Sequence, residues 1–445
     1  MMEWVVLAVF VVFYGILSRR SLVNGIAVLL LLLPFYRIRF EIGVVPVTLI
    51  EVMVLVLFGL FVVKRIQNRK RITFSNYKWL MVALLFFVTV GLFFVENRIG
   101  ALGVWKAYFV EPLMFFVVFI NVIKKRKDLN LVFKSLALSV LGVSLLAIYQ
   151  KITGQFIPNE LWAAEETRRV TSIYGYPNAI GLYLAPLVVL LTGWGILGKS
   201  SVDKKDIWRF WKSGTARGGF WKSWRFWRSC TARLCGCIAG LFGLLAIWFA
   251  RSEGALVAVA VGFLFLGLLI KRLRVVTLVS LVLLGVVFLA VPQVNELVME
   301  KATFGDFSGN LRLIMWQESY EMLKDNVLWG AGLSGYQSAI APYHHAINVF
   351  EIYMYPHNLL LNVWSETGIL GLLVFVGLII KFFGNYLKVR MKENKELYIV
   401  LMCAFATLLT HGIVDVPYFK NDLSILWWLL FGLSWVVLRS RKKLV

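Results

Sequence analysis

The sequence has few charged residues, and this scarcity decides the class of protein. Only 16% of its residues are charged, whereas 60% are apolar and the mean hydropathy is +0.78. A soluble core cannot enclose so large an apolar fraction. The composition therefore excludes an ordinary soluble domain and indicates an integral membrane protein.

Cysteine and histidine are also scarce, with four residues of each. The cysteines lie in predicted spans or beside their cytoplasmic ends, where disulfides are not expected. Cys235 and Cys237 form a CxC pair that has neither a second cysteine pair nor a nearby histidine. The sequence thus predicts neither a disulfide framework nor a metal site. The four cysteines are Cys230, Cys235, Cys237 and Cys403.

Long apolar runs recur along the chain and are separated by short clusters of charge. Such runs are typical of helices that cross about 30 Å of hydrocarbon, and the first two are shorter than this length requires. The pattern predicts an all-α polytopic bundle of 12–13 spans. The spans are predicted near residues 3–18, 22–36, 43–63, 77–95, 102–123, 131–149, 179–198, 235–250, 254–270, 275–292, 358–382, 397–414 and 423–438.

Lysine and arginine collect on alternate sides of these spans, which predicts the orientation because cytoplasmic loops retain cations. The basic segments are 19–20, 64–71, 124–127, 199–234, 271–274, 388–395 and 439–443. The segments predicted to face outward are 37–42, 96–101, 150–178, 251–253, 293–357 and 415–422. The chain thus divides into an N-terminal bundle (1–292), one large extracytoplasmic loop (293–357) and C-terminal transmembrane helices (358–445).

The net charge of +23 follows mainly from this cytoplasmic bias and from attraction to anionic lipid. The basic loop 199–234 contains a duplication, WRFWKSGTAR at 208–217 and WRFWRSCTAR at 224–233. Interleaved tryptophan and arginine can stack on nucleic-acid bases. Beside a span, however, this pattern favours anchoring at the membrane surface. No nucleic-acid partner is predicted.

Charges within or at the ends of spans are costly, so they are the first functional candidates. For Lys106 and Glu111, five apart on one helix, a structural ion pair or interhelical hydrogen bonds are predicted. Glu51 and Glu366 are open to the same structural interpretation. The candidates within spans are Glu51, Lys106, Glu111, Glu366 and His411, and those at outer boundaries are Arg168, Arg169, Arg251, His357 and Asp415.

The outward loop is predicted to contain its own helix. Residues 310–324 show helical periodicity that places Arg312, Trp316 and Tyr320 along one face. Gly330, Gly332 and Gly335 then permit tight turns and close backbone approach. Their GxGxxG spacing follows a helix rather than a strand, which argues against a dinucleotide site.

His357 follows Tyr355 and Pro356 at the predicted outer mouth of a span. A histidine there can act as a general base, and nearby arginines can hold an anionic group, which suits transfer from a phosphate-activated donor. The alternative interpretation is that His357 only caps the helix or sits in the headgroup layer. His344 and His345 are interpreted as loop residues.

Five segments together resemble the bacterial O-antigen ligase and O-antigen polymerase superfamily of membrane glycosyltransferases. Their order and their placement around a large outer loop carry the resemblance, which extends from about residue 100 to the end. The segments are RVTSIYGYPNA at 169–179, ARSEGA at 250–255, the stretch 312–335, PHNLLLNVWSETGILG at 356–371 and HGIVDVP at 411–417.

The resemblance implies an inverting transfer of a glycan from an undecaprenyl-diphosphate carrier to an acceptor hydroxyl, on the outer face of the bacterial cytoplasmic membrane. The acceptor would be lipid A-core or a similar glycolipid or glycan. Arg251, Arg312 and Arg169 match arginines that bind the donor diphosphate, and His357 matches the base. Arginines can replace a divalent ion in this role, so neither a metal nor another cofactor is expected. Supporting roles are assigned to Trp316, Tyr320, Glu366 and Arg168.

One departure concerns Arg251, which the family places in Ser-Arg-Gly. Here Ala250 precedes the arginine and Glu253 stands before the glycine, so that Glu253 could pair with Arg251. The outer loop is further expected to bring Arg312 and His357 towards Arg251 and Arg169.

Three alternatives to a ligase remain open from the sequence. A polymerase of the same superfamily would use the same donor. A polysaccharide or lipid transporter or flippase would use Lys106, Glu111 and Glu366 within the spans, although paired halves and broken helices are not evident. A scaffold for envelope assembly would bind lipid-linked glycan without turnover.

Overall fold

The computed structural model describes residues 2–43, 45–95, 97–197, 220–344, 353–440 and 444, and within residues 220–233 it describes only the backbone. The tryptophan- and arginine-rich duplication and His345 lie outside the residues whose side chains are described. The described chain is almost entirely helical, which confirms the predicted all-α bundle.

Apolar helices form most of the described chain. In chain order they are α1 (Met2–Arg20), α2 (Leu22–Leu31), α3 (Leu49–Gln67), α4 (Lys78–Gly91), α5 (Arg98–Val104), α6 (Glu111–Val122), α7 (Arg126–Thr153), α8 (Glu160–Ala163), α9 (Pro177–Leu197), α10 (Phe220–Phe249), α11 (Glu253–Leu269), α12 (Lys271–Ala290), α13 (Pro292–Ala302), α14 (Phe307–Asp325), α15 (Tyr336–Ile340), α16 (Leu359–Gly384), α17 (Tyr386–Val389), α18 (Lys395–His411) and α19 (Asn421–Arg439). A π-helical turn, Trp105–Val110, joins α5 to α6.

Every predicted span coincides with a helix. Within the described residues, six helical segments are long and apolar enough to cross a membrane, so the protein is a multi-pass membrane protein. The remaining helices are shorter or carry more charge, and the count of 12–13 crossings stays a prediction. The six segments are Arg98–Val122, Arg126–Thr153, Pro177–Ile196, Lys271–Ala290, Leu359–Val389 and Asn421–Arg439.

A short hairpin separates the helices of the spans predicted near 22–36 and 43–63, and its second strand takes the place of helix at the start of the latter span. Helix α2 ends at Leu31 and continues as a 3₁₀ turn, Leu33–Arg37. Strands β1 (Arg39–Ile42) and β2 (Val45–Thr48) then pair antiparallel with Arg39 opposite Thr48. The Thr48 hydroxyl accepts a hydrogen bond from the Glu51 N–H and so caps α3.

The core of the bundle is built around α9 and α19, which are the most fully buried spans. Large rings from α19, including Trp427 and Trp428, pack against Phe375 of α16 and Phe116 of α6. Helix α12 is exposed along its whole apolar length. An apolar helix of this kind requires lipid as its surroundings.

The segments that connect the helices segregate into two groups. Segments predicted to face outward hydrogen-bond to one another, and segments predicted to be cytoplasmic do the same. This grouping is what alternate crossings require. In the first group Arg37 bonds to Ile173, Arg169 to Ala250 and Arg312 to Val414; in the second Arg65 bonds to Asn121, Lys392 to Leu438 and Arg272 to Glu396.

Lys106 pairs across the bundle with Glu51 rather than along its own helix with Glu111. The Lys106 Nζ lies 2.6 Å from Glu51 Oε2, and Asn421 donates to the other oxygen of Glu51 at 2.8 Å. Glu51 is thus a helix-packing group that joins α3 to the π-helical turn and to α19.

Replacing Lys106 with methionine is expected to lower the free energy of unfolding by about 3 to 5 kcal/mol, because the Glu51 carboxylate would stay buried without its cation. The Glu51 side chain is only 5% exposed. Thermal unfolding in detergent measures the loss. The double variant Lys106→Met, Glu51→Gln also removes the unpaired charge and should recover most of the lost stability. If the single and the double variant lose the same stability, this explanation is contradicted.

Helix α16 is broken near its beginning, and the loop after α14 fills the break. Gly368 has φ +69° and ψ 177°, values that no helix contains. The N–H groups of Ala331 and Gly332 donate to Ser365 O at 2.8 and 3.0 Å. The Ile369 N–H donates to Val327 O at 3.1 Å. The glycine-rich stretch therefore serves close backbone approach, as the sequence predicted.

Candidate active site

The segment before α16 carries His357. Asn358 caps the helix, because its side chain accepts from the N–H groups of Leu360 and Leu361. His357 therefore does not perform the capping role. It has a left-handed φ of +49°, a conformation that costs energy and is enriched at functional sites. The His357 side chain is 17% exposed.

Asp415 lies beneath the His357 ring. Its Oδ1 is 3.3 Å from His357 Nδ1, a close polar contact without the alignment of a hydrogen bond. Burial alone would raise the pKa of Asp415, but His357, His411 and the Val416 N–H together lower this pKa to about 2. The carboxylate is thus ionised at neutral pH. Because Nδ1 is buried against it, Nε2 is the ring nitrogen left for a substrate.

Helix α14 holds the two segments that carry His357 and Asp415. Arg312 donates from Nε to Val414 O at 2.9 Å, one residue before Asp415. Trp316, one turn later, donates from its indole N–H to Pro356 O at 3.0 Å, one residue before His357. The predicted common face of Arg312 and Trp316 thus contacts both sides of the His357–Asp415 pair.

Arg169 and Arg251 contact each other and form a pair of arginines. Arg169 donates to Ala250 O at 3.1 Å and to Arg251 O at 3.4 Å. Burial, and then the charge of Arg251, lower the pKa of Arg169, whereas Glu253 raises it. Arg251 has φ +50° and is exposed, with one contact to Glu166 O at 3.3 Å. The Arg169 guanidinium is thus bound to the backbone of the Arg251 turn and to Asn178 Oδ1 at 3.1 Å, while the exposed Arg251 guanidinium can bind an anion.

Glu253 pairs with Lys301, not with Arg251 as its position in the sequence allowed. The Lys301 Nζ lies 2.8 Å from Glu253 Oε2 and 2.8 Å from Asp306 Oδ2. These contacts raise the pKa of Lys301 and lower the pKa of Asp306. Through Lys301, Glu253 therefore connects the start of α11 to the segment before α14. Arg251 does not pair with Glu253 and remains available to bind an anion.

Gly254 connects the Arg169–Arg251 pair to the turn that carries Asp415. A Cβ at Gly254 would lie 2.7 Å from the Val414 side chain and 3.5 Å from the His411 ring. Both contacts belong to the end of α18 and the turn that follows it. Gly254, three residues after Arg251, thus packs directly on the segment that Arg312 and His357 contact.

The structure gives the remaining predicted site residues other environments. Arg168 donates to Lys151 O at 3.0 Å and to Ala163 O at 3.1 Å, so it binds carbonyls at the ends of α7 and α8. Tyr320 is 49% exposed, and its ring lies 4.7 Å from the Lys324 ammonium. Glu366 accepts from the Ser334 N–H at 2.8 Å and holds the glycine-rich loop on α16.

A cavity of about 580 Å³ lies next to Tyr355, whose ring contacts His357, and we call it the Arg39 cavity. Glu366 was a predicted site residue, whereas the three cations of the lining were not. One signal for these cations was present in the sequence, because they lie in segments predicted to face outward, where cations are disfavoured. The lining includes Arg37, Arg39, Lys420, Tyr176, Tyr355 and Glu366.

Comparison with known protein families gives a match over part of the chain. Residues 238–376, less than half of the chain, match the O-antigen ligase family, and we call this stretch the ligase domain. This match confirms the resemblance to the O-antigen ligase and polymerase superfamily and supports a ligase- or polymerase-type function. A search of curated proteins found no match.

The ligase domain, as matched, contains part of the site. It includes Arg251, Arg312, Trp316 and His357, and it ends before Asp415. Arg169 precedes it. The site thus depends on two segments outside the ligase domain. The segment before the domain supplies Arg169, and the segment after it supplies Asp415.

Proposed function

We propose that the protein transfers a glycan from an undecaprenyl-diphosphate carrier to an acceptor hydroxyl, with His357 as the general base. The observation that carries this proposal is that two adjacent residues contact the two functional side chains. Val414 O accepts a hydrogen bond from Arg312, and Asp415 contacts the His357 ring. A base and an arginine held by adjacent residues can act on one bond.

In the proposed reaction, His357 Nε2 takes the proton of the acceptor hydroxyl while the acceptor oxygen bonds to the anomeric carbon. The bond between that carbon and the diphosphate oxygen breaks, and the configuration inverts. The departing diphosphate gains negative charge, which Arg312, Arg251 and Arg169 stabilise without a metal ion. Asp415 holds the imidazole and stabilises its protonated form.

The acceptor distinguishes a ligase from a polymerase. We favour a ligase, whose acceptor is lipid A-core or a similar molecule, because one outer segment with one histidine beside the arginines suits it. A polymerase would use a second lipid-linked repeat. We further propose that the site faces the periplasm or the cell exterior, as the distribution of lysine and arginine predicts.

A transporter has one structural feature in its favour, the broken helix α16. Broken helices in transporters expose free backbone groups to a substrate. Here the groups at the break bind Ala331, Gly332 and Val327 of the same chain. Flux of a lipid-linked glycan through proteoliposomes without glycosyl transfer would favour a transporter over the proposal.

Replacing Arg312 with alanine is expected to lower transfer by at least about a hundredfold, because a departing diphosphate loses a charge-assisted contact. Purified protein in nanodiscs would receive a defined undecaprenyl-diphosphate glycan, and the product would be identified by mass spectrometry. Lys324→Ala, which removes an exposed cation from the same helix, is the matched control and should retain activity.

Full activity of Arg312→Ala would contradict the proposed role of this arginine. Wild-type protein that binds the glycan but never transfers it would contradict the proposed function and favour a scaffold. The chemical identity of the acceptor in the product decides between ligase and polymerase.

A further inference from the structure

The Arg39 cavity contains cations that the proposed donor site does not use. Arg37 ends the 3₁₀ turn after α2, Arg39 begins β1, and Lys420 is the residue before α19. In the part of the chain that the structure describes, none of the three forms an ion pair with a carboxylate. Glu366 is the acidic residue of the described lining, so the cavity has an excess of positive charge.

Lys420 is held in place without a carboxylate partner. Its Nζ lies 4.1 Å from the centroid of the Tyr176 ring and donates to the Tyr176 hydroxyl. Burial lowers the pKa of Lys420, although Asp422 and Asp415 raise it. A partly desolvated ammonium binds an incoming anion more strongly than a surface lysine does.

Two tyrosines connect this cation to His357. The hydroxyls of Tyr176 and Tyr355 lie 3.2 Å apart, and the Tyr355 ring lies 4.7 Å from the His357 ring. His357 itself does not line the cavity, but Tyr355 does, and its ring separates the cavity from the proposed base. Aromatic faces with a few polar groups, in a volume of about 580 Å³, suit a molecule the size of one or two sugars.

We propose that the Arg39 cavity binds an anionic sugar unit of the acceptor, a uronate or a sugar phosphate, next to the hydroxyl that His357 deprotonates. This inference rests on the proposed function. The acceptor is favoured over the donor diphosphate because an inverting displacement places nucleophile and leaving group on opposite faces of the anomeric carbon. Arg312 is connected to His357 through Val414 and Asp415, whereas the cavity is connected to it through Tyr355.

The test measures binding and transfer separately. Full-length protein in nanodiscs would be titrated with three labelled trisaccharides that differ only in the terminal sugar: glucuronic acid, glucose 6-phosphate or glucose. We expect at least one acidic probe to bind about tenfold more tightly than the neutral one, which is about 1.4 kcal/mol. The same three sugars, placed on the acceptor, are then compared in the transfer assay.

Three variants make the test specific. Arg39→Gln and Lys420→Met should each remove the preference for charge while neutral binding stays within about twofold, since neither change fills the cavity. Lys420→Arg keeps the cation and should retain the preference. Arg98→Gln removes an exposed arginine that lies outside the cavity lining and should change nothing.

Equal binding of acidic and neutral probes by the wild-type protein would overturn the proposal, as would equal losses for both in Arg39→Gln. Charge-dependent binding without transfer to any acceptor would support the cavity and contradict the glycosyltransferase. Transfer without any preference for charge would support the glycosyltransferase and contradict the proposed role of the cavity. The tighter of the two acidic probes identifies the anionic group.

Discussion

Replacing His357 with alanine is expected to lower kcat for glycan transfer by about 10²- to 10⁴-fold, the usual contribution of a general base. Binding of the lipid-linked donor should change little, because the guanidinium groups of Arg312 and Arg251 are held by carbonyls that do not involve His357. The measurement is single-turnover transfer in nanodiscs, with donor affinity determined separately.

Two further variants separate the roles of the pair. Asp415→Asn should lower kcat by a smaller factor, because the imidazole remains while its anionic partner, whose pKa of about 2 keeps it ionised, is removed. His344→Gln is the matched control: it removes a second imidazole, while glutamine keeps a polar partner for the buried Glu318, which lies 3.1 Å from His344. Wild-type activity in His357→Ala would exclude His357 as the base and would return it to a structural role in the segment before α16.

Replacing Gly368 with alanine is expected to destabilise the folded protein by about 3 kcal/mol or more, from backbone strain and from overlap. A Cβ at this position would lie 1.9 Å from Leu328 O and 3.0 Å from the Trp329 Cα, both backbone atoms that cannot rotate away. The positive φ of +69° adds strain for any L side chain. Thermal unfolding in detergent and size-exclusion profiles would record the loss.

Gly384→Ala is the matched control for Gly368→Ala. It lies at the other end of the same helix, and an added Cβ there would meet no atom within 4 Å. Its stability should equal or slightly exceed that of the wild type, because alanine favours helix. If Gly368→Ala unfolds at the wild-type temperature, then the loop from Val327 to Gly332 is not locked into the break of α16.

The sequence predicted the helices well because the signal is local. Apolar length and the side on which cations collect are properties of consecutive residues. The helix expected over 310–324 is α14, Phe307–Asp325. The second and third spans were less well defined, because the second ends in a 3₁₀ turn, Leu33–Arg37, and the third begins with a strand, Val45–Thr48.

Individual side chains were harder to predict, because their partners are distant in sequence. Lys106 was compared with Glu111 on its own helix, yet its partner is Glu51 on α3. Glu253 stands next to the Arg251 turn, yet it pairs with Lys301. Arg168 and Arg169 are adjacent, but one binds carbonyls at the end of α7 and the other contacts Arg251.

The sequence alone determined the membrane class, the helical fold and the resemblance to the O-antigen ligase superfamily, since these depend on composition, periodicity and local motifs. Only the tertiary structure placed Asp415 beside His357, bound Arg312 and Trp316 to the two segments on either side of that pair, and collected Arg37, Arg39 and Lys420 in one cavity. The physical reason is that contacts between distant segments depend on how the helices pack, and helix packing is not encoded in any short stretch of the chain.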